Sequence, residues 1–164
     1  MSKVLVLRTC SSDGSSYGGF KWPLVEGAVV TALDWNSASI CGGGLHGLLW
    51  GEGDGKLLSW TKSAKWMILS VEESDIISLG DKVKFPTCTI VHIGNQKSAT
   101  DYMYENIKNK SIVGMTITGG DQISLSAGYC SVLTAGNYSI LTFLSKKSPS
   151  LRWGMNCSCN FSYF

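Results

Sequence analysis

The chain has 164 residues, of which 44% are hydrophobic and 16% are charged, and its formal net charge is +2. This length suits one domain with a hydrophobic core, and the composition excludes an intrinsically disordered protein. Because the net charge is small and the basic residues are scattered, nucleic-acid binding is not expected.

The sequence also argues against membrane contact. No apolar run reaches the about eighteen residues that span a bilayer, and the short apolar run before Arg8 is not expected to be a signal peptide. The six cysteines are an even number, but without a secretory signal they favour a reduced, intracellular protein. We therefore expect a cytoplasmic protein, in the host cytoplasm if a phage encodes it.

The first hundred residues have mainly strand patterns. Residues 3–9 are apolar and β-branched and predict a strand that is buried on both faces. Residues 64–72 carry the clearest strand pattern, and residues 87–93 alternate polar and apolar as a half-buried strand does. A helix is predicted near 97–108, with Ser98 as its cap.

After the helix, an eight-residue pattern occurs three times. Each copy begins with glycine, at Gly120, Gly128 and Gly136, and has leucine at its sixth place and Ser or Thr at its seventh. Such a period is typical of stacked β units, because one copy is too small to bury a face alone. An antiparallel meander with Ala-Gly turns explains the same pattern, so both arrangements stay open.

These elements predict an α+β fold made mostly of β-strands, with one helix near 97–108 and a C-terminal β repeat or meander. Residues 1–110 are expected to form a globular α+β domain, and the eight-residue β repeats of 111–143 to pack on it as one unit. Residues 144–164 form an aromatic C-terminal segment. It is expected to pack as a terminal strand or cover a sheet edge, because exposure would invite aggregation.

Residues 41–55 are the first candidate for a functional site, since seven of these fifteen residues are glycine. His46 can act as a general base or hydrogen-bond a ligand, with Glu52 nearby and Arg8 near the end of the first strand. An enzyme built on these three residues would act on a nucleotide-like substrate, in the manner of an ADP-ribosyltransferase. The alternative is that the imidazole bonds a backbone carbonyl and braces the turn, and the lack of a recognisable catalytic set favours it.

Other chemistries find less support. Cys41 can act as a nucleophile beside His46, but catalytic cysteines need a setting that a sequence does not reveal, so a structural role is favoured. No phosphate-binding glycine motif is present, and His46 and His92 are the only histidines. Neither a cofactor nor a metal is therefore expected.

A protein-binding surface is the third interpretation of this region. Trp22 and Trp50 lie in loops rich in glycine and proline, and tryptophan is enriched in binding hot spots. The further candidates for this surface are aromatic or acidic: Tyr17, Phe20, Glu52 and Asp54. Trp66, in the clearest strand, is expected to fill the core instead.

Several segments share a wider resemblance. They are Tyr17-Gly-Gly-Phe-Lys-Trp-Pro, Asp34-Trp-Asn, Cys41-Gly-Gly-Gly-Leu-His-Gly-Leu-Leu-Trp-Gly-Glu-Gly-Asp-Gly, Gly80-Asp-Lys-Val-Lys-Phe-Pro and Ala99-Thr-Asp-Tyr. Together they resemble a family of uncharacterised bacterial and phage proteins, in which a globular part with a Gly-Leu/Phe-His signature precedes Gly-rich eight-residue repeats. The chain departs from that family at Leu125, Leu133 and Leu141, where alanine is typical.

The resemblance implies a phage or prophage context and no established activity. We therefore expect a phage- or prophage-type module that binds another protein, as an inhibitor of a host complex such as a defence system. The alternatives are the enzyme centred on His46 and Glu52, and a structural protein that oligomerises through its repeats. The oligomeric state stays open.

Overall fold

The computed structural model of this protein describes residues 2–107, 110–118, 124–127, 131–134, 140–144 and 158–162. Twelve β-strands and one α-helix lie in these residues. This confirms the predicted α+β fold made mostly of strands. Among the same residues, no helix has the length and apolar character needed to cross a bilayer.

Seven strands precede the helix and form one antiparallel sheet. They are β1 (Lys3–Cys10), β2 (Val29–Thr31), β3 (Leu45–Leu49), β4 (Lys65–Glu72), β5 (Ile77–Ser78), β6 (Val83–Phe85) and β7 (Thr87–Gly94). Their order across the sheet is β2-β7-β4-β1-β3-β6-β5. β1 and β4 lie near its centre and pair along their whole length, from Lys3 opposite Glu72 to Cys10 opposite Lys65.

Hydrophobic clusters cover both faces of this sheet. Along β1, Leu7 belongs to one cluster while Val4 and Val6 belong to the other, as the alternation of side chains in a strand requires. Along β4, Ile68 belongs to the cluster that contains Leu7, and Met67 belongs to the cluster that contains Val4 and Val6. The central strands are therefore apolar on both sides.

Helix α1 (Gln96–Asn106) follows β7 directly, and Asn95 rather than the predicted Ser98 is its N-cap. Asn95 Oδ1 accepts a hydrogen bond from Ser98 N at 2.9 Å, and Ser98 Oγ accepts one from Asn95 N at 3.1 Å. These reciprocal bonds form a capping box, which satisfies N–H groups that a helix start leaves free. Ala99 and Met103 on α1 are buried in the cluster that contains Leu7.

The strands of the repeat region pair in parallel. They are β8 (Thr116–Thr118), β9 (Ser124–Ala127), β10 (Val132–Thr134), β11 (Ile140–Leu144) and β12 (Ser158–Ser162). Val132 of β10 lies opposite Thr116 of β8, and Ile140 of β11 lies opposite Ser124 of β9, so these two pairings join residues two eight-residue units apart. β12 also pairs with β11, with Ser158 opposite Ile140. Parallel pairing rules out an antiparallel meander for these strands and identifies a β-solenoid with two units in each coil.

Candidate functional site

A buried lysine holds the glycine-rich loop that leads into β3. Lys84 is fully buried, and its Nζ donates to the carbonyl oxygens of Ile40 at 2.9 Å and Gly42 at 3.3 Å. The ammonium also lies 5.7 Å from the ring centre of Trp35, within the range of a cation–π contact. Gly44 has a φ of +141°, and a Cβ there would lie 2.9 Å from the Trp35 ring. The loop is therefore built around a cation that the sequence analysis did not single out.

Two of the three catalytic candidates, Arg8 and His46, lie together. Arg8 Nη1 donates to the backbone oxygen of His46 at 2.5 Å, and the guanidinium lies 4.9 Å from the ring centre of Trp22. Burial lowers the pKa of Arg8. Burial, followed by the charges of Lys82 and Arg8, lowers the pKa of His46, so its imidazole is neutral at pH 7. A histidine surrounded by cations is a poor base, because protonation would add another positive charge.

Glu52, the third candidate, has other partners. Its Oε1 accepts a hydrogen bond from Ser111 N at 2.9 Å, and its Oε2 lies 3.7 Å from Lys110 Nζ. Between His46 and Glu52 the chain turns at Trp50, whose φ is +57°. Glu52 therefore ties the globular part to the segment that leads into the repeats.

The residues predicted to form a binding surface divide between the surface and the core. Trp22 is only 2% exposed and packs edge-on against Phe20, with ring centres 5.4 Å apart, whereas Tyr17 is 100% exposed. Trp50 packs against the same hydrophobic cluster as Trp22. Asp54 caps the short 3-10 turn Gly55–Leu57. Of these side chains, Trp22 therefore lies in the core and Tyr17 on the surface.

Cys41 is an exposed thiol whose Sγ lies 3.0 Å from Lys82 Nζ. The hydrogen bond from Lys82 and its positive charge lower the pKa of this thiol. Burial instead raises the pKa of Cys88 to about 12. In the part of the chain that the structure describes, no group of three or more His, Cys, Asp or Glu side chains is placed to hold a metal ion.

A polar cluster of three residues was not foreseen from the sequence. His92 Nε2 lies 3.1 Å from Ser98 Oγ, and His92 Nδ1 lies 3.3 Å from Glu26 Oε1. The order serine, histidine, carboxylate is that of hydrolase triads, but Ser98 Oγ is already held by Asn95 N in the capping box. The arrangement therefore fixes the start of α1 against β7. The Asn95–Ser98 spacing is the one sequence signal that could have revealed part of it.

The junction between the globular part and the solenoid is built around a second residue that the sequence did not reveal. Ser131 is 2% exposed, and its Oγ accepts from Met115 N at 2.9 Å and donates to Ile112 O at 3.1 Å. Val113 N donates to Gly51 O at 2.9 Å, so the segment before β8 is also bonded to the turn after β3.

Apolar packing continues across this junction. Leu133 of β10 and Ile112 are fully buried in the cluster that contains Leu7, under α1. Thr116 is exposed and Thr134 is half-buried. The first coil of the solenoid therefore shares the core of the globular part, while threonines lie on its outer side.

The known proteins that the chain resembles in sequence are bacterial ice nucleation proteins. The ice nucleation protein of Pseudomonas fluorescens is 37% identical over 107 residues, which are 64% of this chain and 9% of that protein. The ice nucleation protein of Xanthomonas campestris pv. translucens is 33% identical over 109 residues, 65% of this chain and 7% of that protein. Ice nucleation protein InaU of Pantoea ananas is 33% identical over 103 residues, 62% of this chain and 10% of that protein. No protein-family model and no solved structure matches the chain.

The matches cover more than the repeats. The match to the Pseudomonas fluorescens protein covers 107 residues, or 64% of the chain. The part of the chain after residue 110 is only about half as long as this match. About half of the matched residues or more therefore lie in the globular part. The chain itself spans about a tenth or less of the length of the curated relatives it matches.

These relatives correct the functional predictions made from the sequence. The expected phage or prophage inhibitor of a host defence complex is wrong, because the similar proteins are bacterial ice nucleation proteins. The alternative of an enzyme on a nucleotide-like substrate stays a prediction. The predicted cytoplasmic localisation is wrong on the same finding. A protein partner, and the resemblance of residues 41–47 to a separate family, stay predictions.

Proposed function

We propose that this chain acts in ice nucleation, by holding water in order on the outer side of its β-solenoid. The observation that carries the proposal is the register of the parallel strands. Thr134 lies beside Thr118, and Thr142 lies beside Ser126, so that hydroxyl-bearing residues occupy equivalent positions in successive strands. The curated relatives named for ice nucleation support the same role.

The geometry of a parallel sheet makes such positions regular. Neighbouring strands lie about 4.8 Å apart, and successive side chains alternate between the two faces. In β10 the middle residue, Leu133, is fully buried, so Val132 and Thr134 on either side of it face away from the core. Threonine is β-branched and has few side-chain rotamers, which keeps its hydroxyl in place. A rigid, evenly spaced array of hydroxyls can hydrogen-bond water molecules in a fixed pattern.

The globular part supports this surface by covering the start of the solenoid. A stacked β repeat cannot bury its own end and needs a cap whose outer face is polar. Val113 N, just before the first coil, donates to Gly51 O of the globular part at 2.9 Å, and Leu133 of the first coil is buried in the cluster that contains Leu7. The globular part therefore fixes the position from which the later coils are stacked.

Droplet freezing tests the proposal. Replacing Thr116 and Thr134 with lysine places two long charged side chains on the outer side of the first coil, and we expect the median freezing temperature of droplets to fall toward that of buffer. Thr31→Lys with Thr87→Lys is the matched control, because these threonines face each other at 3.3 Å on the globular sheet, away from the solenoid. The control should freeze like the unmodified chain.

Two results would contradict the proposal. One is an unmodified chain that freezes droplets no warmer than the same chain after heat unfolding. The other is an equal loss in the two double variants, which would show that added charge matters and the solenoid face does not. Thr116→Val with Thr134→Val then separates the hydroxyl from the shape of the side chain, since valine keeps the branching.

A further inference from the structure

Two buried N–H groups of the globular part have no acceptor. They are Nε of Arg8 and Nε1 of Trp22, and neither has a hydrogen-bond partner among the described residues. Buried donors of this kind are rare in folded proteins, because an unmade hydrogen bond destabilises the fold. We propose that a small monovalent anion, chloride or a small carboxylate, binds at the edge where the Arg8 guanidinium meets the Trp22 indole. The site goes beyond the water-ordering role and does not depend on it.

Strand β1 brings Arg8 to Trp22. Arg8 is two residues from Val6, so the alternation of a strand places its side chain on the same face, which the cluster containing Trp22 covers. The guanidinium Cζ lies 4.9 Å from the ring centre of Trp22, and Nη1 already donates to the backbone oxygen of His46. This leaves the edge that carries Nε and Nη2, whose two parallel N–H groups can bind an anion side-on.

The charge of Arg8 has no counter-ion in the described part of the chain. Arg8 takes part in none of the ion pairs between described residues, all of which join a lysine or a histidine to a carboxylate. The charges that act on the pKa of Arg8 are those of the thiols Cys10 and Cys88. Burial raises the pKa of both thiols, so neither is an anion at pH 7. A bound water would satisfy the N–H groups, but only an anion would also balance the charge.

The loop of residues 11–22 holds Trp22 in this place. Trp22 N donates to Gly14 O at 2.9 Å. Gly14 has a φ of +87°, and a Cβ there would lie 2.5 Å from Trp22 O, so the loop closes tightly on this residue. The Trp22 ring is buried and meets Phe20 edge-on. Its N–H group is therefore fixed before a ligand arrives, which lowers the entropy that binding costs.

The groups at the site limit the class of ligand. Both free groups are donors, so the ligand has to accept hydrogen bonds and has none to donate. One unpaired cation matches one negative charge. Because the cluster around Trp22 is apolar, a larger polar ligand would leave groups of its own without partners. A phosphate carries more charge and more oxygens than these donors can pair, whereas chloride or a small carboxylate does not.

The test compares three sodium salts at constant ionic strength, so that screening stays the same. They are gluconate, whose anion is large, chloride and formate. Thermal melting of the full chain is followed by tryptophan fluorescence, and the line width of the chloride NMR signal reports chloride binding directly. We expect the melting temperature to rise by about 3–6 °C for each tenfold increase in chloride or formate above its dissociation constant. The anion that binds more tightly distinguishes a halide from a carboxylate, and either one supports the proposal.

Three variants locate the anion. Arg8→Gln removes the charge and should abolish the dependence on chloride and formate. Trp22→Phe keeps an aromatic ring and removes the N–H group, so it should weaken anion binding by about tenfold. Lys21→Gln is the matched control, because it also removes one positive charge, but Lys21 is exposed and pairs with Asp13 at 3.6 Å. It should respond to the salts like the unmodified chain.

Equal melting temperatures in gluconate, chloride and formate would overturn the proposal. An Arg8→Gln variant that responds to the salts as Lys21→Gln does would overturn it as well, because the anion would then bind elsewhere. If Arg8→Gln does not fold, Trp22→Phe decides: an unchanged dissociation constant would show that the indole N–H group does not hold an anion.

Discussion

Replacing Ser131 with alanine removes one hydroxyl from the junction between the globular part and the solenoid. The side chain is 2% exposed, and its Oγ is bonded to Met115 N at 2.9 Å and to Ile112 O at 3.1 Å. The variant leaves a buried N–H and a buried carbonyl without this partner, and each unsatisfied group costs about 1–3 kcal/mol. Because water can reach neither group easily, we expect a loss of about 2–4 kcal/mol in the free energy of unfolding. In a chain of this length that corresponds to a melting temperature lower by about 5–15 °C.

Urea unfolding followed by tryptophan fluorescence measures this loss. Ser59→Ala is the control, because its hydroxyl meets only the exposed Thr61 hydroxyl at 3.2 Å, and it should change the free energy by less than about 0.5 kcal/mol. Hydrogen exchange of Met115 N should also become faster in Ser131→Ala, since its acceptor is gone. If Ser131→Ala unfolds at the same urea concentration as the control, the junction does not depend on this hydroxyl and the reasoning fails.

Three further predictions concern the globular part. Gly47→Ala puts a Cβ 2.4 Å from Val6 Cγ1, so we expect a loss of about 1–3 kcal/mol in urea unfolding; an unchanged midpoint would contradict so close an approach. Ser98→Ala removes one half of the capping box and should cost about 1 kcal/mol, measured by thermal melting, and an unaltered curve would mean that the box contributes nothing. Lys82→Met removes the cation that lowers the pKa of Cys41. The thiolate fraction at pH 7.5 should then fall, and alkylation by iodoacetamide should slow several-fold, whereas an equal rate would assign the reactivity to exposure alone.

Much of the globular fold could be predicted because its signals are local. Strand β4 lies where the pattern of residues 64–72 predicted it, and β1 lies at the apolar run of residues 3–9. Both strands are near the centre of the sheet, where both faces are covered and need apolar side chains. The predicted helix near 97–108 is α1, and its cap is Asn95 because Ser98 takes the third helical position of the capping box. Pairing order was not predictable, since β1 and β4 are separated by β2 and β3 in the sequence yet lie side by side.

The candidate site shows the limit of reasoning from sequence proximity. His46 and Glu52 are six residues apart, but they have different partners on the two sides of the turn at Trp50. The backbone oxygen of His46 accepts from Arg8, and the Glu52 carboxylate accepts from Ser111 N. Lys84, which holds the glycine loop, was unpredictable because a lysine in a short strand is most often exposed. Its burial is tolerated because two carbonyl oxygens and the Trp35 ring satisfy the ammonium.

The sequence by itself determined the eight-residue period, the glycine at the start of each unit and the alternation that buries one residue in two. It left two arrangements open, because both give the same period. In a meander each unit pairs with the next unit, whereas in this solenoid each unit pairs with the unit two places further along the chain. Tertiary structure decided this. Residues sixteen positions apart lie opposite each other, from Val132 and Thr116 to Ile140 and Ser124. The first coil is stacked in this way because Leu133 and Ile112 are buried in the core under α1. That core includes side chains of the distant strands β1 and β4, so it exists only when these two strands are paired.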